Sequence, residues 1–215
     1  MEPLPNLGPL SFLLELDGLK EVWRKNPLNG TTRNENSAEH SWHGGLAALA
    51  LAPMMPAGVD AHRVSRMMLV HDLGEIDTGD VLAYIKDEVQ SAHDEHACVV
   101  RILGLLPESF RPELLALWDE FEDGKTSDAR CAWAIDRLLP CLENVNSQGG
   151  AWLALGVRRD QALGRNAMIG EFFPSLWVEL EPRIQAIFDA AESVRSENST
   201  VREPPIPLVQ ATRIQ

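Results

Sequence analysis

Asp136 stands where a core residue is expected. In the stretch AWAIDRLLP and the residues before it, Ala129, Ala132, Asp136 and Leu139 fall on one face of a helix. An ionised carboxylate on a buried stripe is costly unless it is paired or binds a metal. Asp72 poses the same problem directly after His71, in a segment where Val64, Met68, His71 and Glu75 keep a one-face rhythm. Upstream, His40 lies in the first turn of a helix opening near Ser37, where Asn36 and Glu39 have capping-box spacing. Two imidazoles and two carboxylates suit one divalent first-row ion such as Mn, Fe, Co, Ni or Zn. His40, His71, Asp72 and Asp136 are therefore the candidate metal ligands, drawn from three helices. Against this, Asp136 has ion-pair partners of its own in Arg130 or Arg137, and His43 and His62 read as ordinary core histidines.

The elements that must position these residues are almost all helical, because period-two β-branched runs are absent and Ala, Leu and Glu are frequent. Helices are expected from about Pro9 to Lys25, from Ser37 onward, and from Asp60 as a cap to about Gly74. Leu28–Asn36 reads as a polar loop and residues 74–86 as a turn region. Further helices are expected near 87–104, after Pro112, from Thr126–Asp128 to about Gly150, and over 174–194. In the 87–104 helix, Val89, His93, His96, Val100 and Leu103 share a seam. Pro140 removes the hydrogen bond to the Asp136 carbonyl, so a kink is expected there. After Asn198 the sequence REPPIPLVQ reads as a non-helical arm.

The chain has 215 residues, 45% of them apolar, with 32 acidic and 19 basic side chains and a net charge of −13. This length makes one domain, 1–195, with a proline-containing tail, 196–215. So acidic a surface excludes DNA or RNA as a partner, which needs a basic stripe, but not a small phosphate ester held by a few local bases and a metal. No apolar run reaches the ~18 residues of a membrane span. Glu2, Glu15 and Asp17 disagree with an export signal, and the odd set Cys98, Cys131 and Cys141 has no metal-knuckle spacing. A cytoplasmic location is expected.

Taken together, NENSAEHSWH, MMLVHDLGEIDTGD and AWAIDRLLP resemble the HD-domain metal phosphohydrolases, most closely the 5′-deoxynucleotidase-like branch, over about residues 16–145. The resemblance implies an all-α, single-domain HD-type helical bundle and a single metal at His40, His71, Asp72 and Asp136. It implies Glu75 and Asp80 as the acidic residues beside the metal, and Thr78 near the substrate phosphate. A basic residue ahead of the first metal histidine is Lys25 by position, with Arg33 as the second candidate. In bacterial members favouring deoxyribonucleotides an aromatic residue follows that base, and here Asn26 stands there. The implied reaction is hydrolysis of a (deoxy)nucleoside 5′-monophosphate to nucleoside and phosphate. A metal site can lower the pKa of water from ~15.7 towards ~7. Glu75, one turn from His71 and Asp72, would orient that water or take its proton. Asp80 would protonate the leaving alkoxide or hold the water from the other side.

Two other readings compete. Relatives of this fold that bind two irons and carry out oxygen chemistry use extra histidines between the His-Asp pair and the last Asp, an interval that here holds His93 and His96. The chain could also be a non-catalytic nucleotide-binding module. A homodimer is expected, with Trp118, Trp152 and Trp177 away from the site as core or interface residues.

Overall fold

The computed structural model describes residues 8–29, 31–81 and 88–200. The chain starts with α1 (Pro9–Glu15), tightens into a 3-10 turn over Leu16–Glu21, and then forms a hairpin of β1 (Trp23–Pro27) and β2 (Asn34–Asn36). The strands are antiparallel, with Trp23 opposite Asn36 and Pro27 opposite Asn34. This corrects two expectations: the first helix stops ten residues early, and the polar loop contains a strand. Strands as short as WRKNP and NEN carry no apolar alternation by which to read them.

Helix α2 (Ser37–Ala50) begins with the expected capping box, in which Asn36 accepts from the Glu39 amide and Glu39 accepts from the Asn36 amide. Its buried face is small and polar: Ser37, His40, Ser41, Gly44, Gly45 and Ala48. These residues let α3 (Ala61–Val70) approach closely. A Cβ on Gly44 would lie 2.5 Å from Met68 Cε, and Ser65 Oγ donates to the Gly45 carbonyl at 2.8 Å. Asp60 caps α3 by accepting from the amides of His62 and Arg63. His43 and His62 are exposed rather than core residues.

Past Val70 the chain winds more tightly as a 3-10 turn, His71–Gly74, and then forms the short α4 (Glu75–Thr78). Gly79 ends that helix at a positive φ of 73°, a conformation that favours glycine. Helix α5 (Glu88–Leu103) lies across the 3-10 turn, and α6 (Arg111–Asp123) ends at the left-handed Gly124. Of the expected seam Leu103 is buried, but His93, His96 and Val100 are exposed and the Val89 side chain lies outside the described ones; the buried side of α5 is completed by Glu95, Cys98, Val99 and Ile102.

The central element is α7 (Ser127–Asn146), capped by the Thr126 hydroxyl and continuous through Pro140. Ala129, Ala132 and Leu139 of the expected stripe are buried, and Ile135 and Leu138 widen the buried face. Three short helices not anticipated from sequence follow: α8 (Gly150–Ala154), α9 (Arg159–Asn166) and α10 (Ile169–Phe172). The long α11 (Pro174–Thr200) packs back on α7, α9 and α10. It extends beyond the expected 194, and the arm beginning at Arg202 lies outside the described residues.

Candidate metal centre and cavity

Three helical segments bring the candidate ligands together. One ligand atom each from His40, His71 and Asp72 lie within 4.8 Å of one another. Asp136 reaches the same point from α7: its Oδ1 is 3.0 Å from His40 Nε2 and 3.6 Å from His71 Nε2. His71 Nε2 is also 3.1 Å from Asp72 Oδ1.

The chemistry of these donors fits a cation. His71 Nδ1 lies 2.9 Å from the Met68 carbonyl, which accepts its proton and leaves Nε2 as the lone-pair nitrogen. That Nε2 is buried and makes no hydrogen bond among the described residues. An orphaned imidazole nitrogen facing two carboxylates is what a ligand nitrogen presents to an ion. The Trp118 indole donates to the His71 carbonyl at 3.1 Å, and Phe121 stacks against the His71 ring at 4.8 Å. Trp118 therefore supports the site directly, contrary to the expectation that it lies elsewhere.

The other side of His40 reveals a residue that the sequence did not single out. Glu35, buried in β2, places Oε2 3.3 Å from His40 Nδ1. A carboxylate there orients the ring and raises its basicity. Burial and the Arg24 charge push His40 down, but contacts with Asp136 and Glu35 outweigh them and bring its pKa up to about 9. For Asp136, burial acts upward, yet the two imidazoles hold it well below the usual carboxylate range.

The base that faces this cluster is Arg24. Its Nη1 donates to Asp72 Oδ2 at 3.1 Å, with Glu35 at 3.8 Å and Asp80 at 3.9 Å. Burial opposes its charge, but the surrounding acids raise its pKa. Lys25, the next residue in the strand, is exposed at the rim of the same cavity, and its charge also acts on Asp80. Arg33 is drawn away from the centre into a bidentate pair with Glu39 at 2.7 and 2.8 Å on the surface. The Thr78 hydroxyl turns back to the Gly74 carbonyl at 3.2 Å, and Thr78 does not line the cavity.

Glu75 and Asp80 do reach the centre. Ser37 Oγ donates to Glu75 Oε2 at 2.6 Å. Burial first, and Asp72 second, raise Glu75 well above an ordinary glutamate, and burial also raises Asp80. His71, Asp72, Asp136, Arg24, Glu75 and Asp80 open onto one cavity of about 420 Å³, within the usual range for a small-molecule site, while His40 and Glu35 are buried behind it. Its wall continues along α7 through Trp133, Arg137, Pro140 and Asn144 and is completed by Trp152 and Arg165.

His93 and His96 take no part in this arrangement. Their side chains are 82% and 50% exposed, beside Asp94 and Asp119 respectively. The histidines on which the dinuclear oxygenase alternative depends thus sit on the outer face of α5.

Fold and site together define a metal-dependent phosphohydrolase built on a helical bundle. The HD domain family model matches residues 16–177, and the chain belongs to that family. It is similar to the crystal structure of a predicted metal-dependent phosphohydrolase from Magnetospirillum magnetotacticum MS-1, with 36% identity and a TM-score of 0.78 over 85% of this chain and 94% of that one. It is 29% identical over 184 residues to a 5′-deoxynucleotidase of Erwinia tasmaniensis, covering 78% of this chain and 90% of the relative. An HD-domain phosphohydrolase from Listeria innocua shares the fold at a TM-score of 0.57 and 16% identity. No helix among the described residues is long and apolar enough to cross a membrane.

Proposed function

We propose that this protein hydrolyses (deoxy)nucleoside 5′-monophosphates to nucleoside and phosphate, using one divalent transition ion held by His40, His71, Asp72 and Asp136. The observation that carries the proposal is the convergence of those four side chains, three of them on the wall of a cavity that also receives Arg24, Glu75 and Asp80, with His40 buried directly behind them. The similarity to proteins named 5′-deoxynucleotidase supports the nucleotide class. When bound, such an ion supplies Lewis acidity to the phosphoryl oxygens and makes water more acidic.

The chain's own residues supply the rest. Arg24 holds the phosphate through its planar fork, which matches phosphate geometry better than an ammonium does. Glu75 takes a proton from the attacking water as the new oxygen–phosphorus bond forms. A carboxylate raised by burial is suited to accept a proton near neutral pH. The ester bond breaks on the opposite side of phosphorus, and Asp80, also raised, delivers a proton to the leaving alkoxide. Ser37 fixes the Glu75 carboxylate by its short hydrogen bond. The three cysteines are free and buried, which supports a reducing, cytoplasmic setting for this work.

Glu75→Gln tests the assignment. Phosphate release from deoxynucleoside monophosphates should fall about 100-fold or more, the low end of general acid–base contributions, while elemental analysis finds the metal still bound. Normal turnover with metal retained would overturn the proposed chemistry. Asp136→Ala belongs to the same experiment: its metal content should drop, and unchanged content would remove Asp136 from the ligand set.

A further inference from the structure

The cavity is electrostatically uneven along its length. At the metal end acids dominate: Asp72, Glu75, Asp80 and Asp136. Farther along α7 and out to α9, the wall carries two guanidiniums, those of Arg137 and Arg165, with Glu122 as the acid on that side. Arg24 and Lys25 also line the metal end, so what sets the far end apart in a chain of 32 acids and 19 bases is two arginines against one acid. The two are built together. Arg137 Nη1 lies 3.4 Å from the Arg165 carbonyl, and its guanidinium rests over the Trp133 ring at 5.6 Å. Both residues are half-buried. Stacking holds a guanidinium in place before a ligand arrives, which reduces the ordering cost of binding. The cleaved phosphate does not need this pair, because Arg24 already stands beside the metal ligands.

We propose that the substrate carries a second anionic group, a phosphate or a carboxylate, and that Arg137 and Arg165 bind it as specificity-determining residues. The proposal rests on the phosphomonoesterase reading and departs from a plain nucleoside monophosphate in one respect: the preferred ester carries, beyond the cleaved phosphate, a further anionic group lying along α7 from the metal ligands to α9. Planar guanidiniums offer paired N–H donors to either kind of oxyanion.

The test compares matched substrates on the metal-loaded full chain. Deoxyadenosine 3′,5′-bisphosphate is set against deoxyadenosine 5′-monophosphate, with release of the 5′-phosphate measured. 3-Phosphoglycerate is set against glycerol 3-phosphate, to separate a carboxylate from a second phosphate. In at least one pair the additional anion should raise kcat/KM by about tenfold or more, the size of one charge-assisted contact. Arg165→Gln and Arg137→Gln should each reduce that ratio several-fold, and Arg137→Lys should recover part of it. Each ratio is taken within one preparation, so a poorly folded variant lowers both members equally. Ratios near one in both pairs, or ratios that both glutamine variants leave intact, would overturn the proposal while leaving the phosphomonoesterase reading in place. Absence of hydrolysis for every ester would overturn that reading and this inference with it.

Discussion

Arg24 and Lys25 are adjacent bases on one cavity, but they differ in burial: Arg24 is half-buried among the acids, and Lys25 is exposed at the rim. Arg24 is the inward one, against Asp72, Glu35 and Asp80. Replacing it with alanine would strand several buried acids, so the informative change is Arg24→Lys, which keeps the charge and loses the fork. We expect kcat/KM for a nucleoside monophosphate to fall about tenfold, since a bidentate arginine contact is not matched by a point charge. Lys25→Met, at the exposed rim, should change it by less than about threefold, the scale of a solvated charge. Steady-state kinetics on the two variants checks this, and the reverse ordering would return the phosphate contact to Lys25.

At the scale of elements, the site depends on a 3-10 turn pressed between helices. Gly74 lies between Asp72 and Glu75, and a Cβ there would fall 2.6 Å from Glu95 Cβ and 2.9 Å from its Cα. Because a backbone atom is in the way, α5 or the ligand-bearing turn must move. Gly74→Ala should therefore cost about 1–3 kcal/mol, as overpacking does, and lower metal content as well. Gly164, within α9, has nothing within 4 Å of its would-be Cβ, so Gly164→Ala should stabilise by about 0.5–1 kcal/mol. Thermal unfolding of the pair measures both, and equal midpoints would refute the close approach of α5. The helices carrying the candidate metal donors were legible because a charged residue on an apolar stripe stands out: Asp136 and the His71–Asp72 pair showed themselves this way. The faces of α2 and α5 were not legible by the same rule. On α2 the buried side is glycine and serine, while Trp42, Leu46 and Leu49 are exposed. Close helix approach selects small residues, so hydrophobicity alone picks the wrong face. Glu35, Arg24 and Trp118 were missed because their roles arise from contacts that no local period encodes; Trp118 and His71 are separated by 47 positions.

The whole molecule carries a net charge of −13, and its buried acids make that charge felt in stability. Glu143, on α7 behind the hairpin, is 7% exposed; burial first, and Glu35 second, push its pKa up to about 7. A carboxyl whose folded pKa is raised binds its proton more tightly in the folded state. Its stabilising contribution is complete below the ordinary value of 4.5 and disappears as pH rises through about 7. Glu75 and Asp80 are shifted in the same direction. His40 in the metal-free protein, raised to about 9, likewise loses stabilisation as pH climbs towards that value. Asp136, held low, acts oppositely, but its contribution is lost only below the ordinary aspartate range. Lowering pH from 8 to about 5.5 also removes negative charge and so relieves self-repulsion. All the contributions in that window share one sign. The metal-free protein should then be more stable at pH ~5.5 than at pH ~8, against the usual flatness of this range. Glu143→Gln should remove about 1–3 kcal/mol of that difference by stabilising the alkaline side, since each pKa unit is worth about 1.4 kcal/mol. Urea midpoints at the two pH values, for both proteins, measure it. A wild-type midpoint that rises with pH would overturn this account, because ion pairs such as Arg63–Glu120 and Arg101–Asp77, whose acids are held low and whose bases are held high, keep the same charge throughout that window.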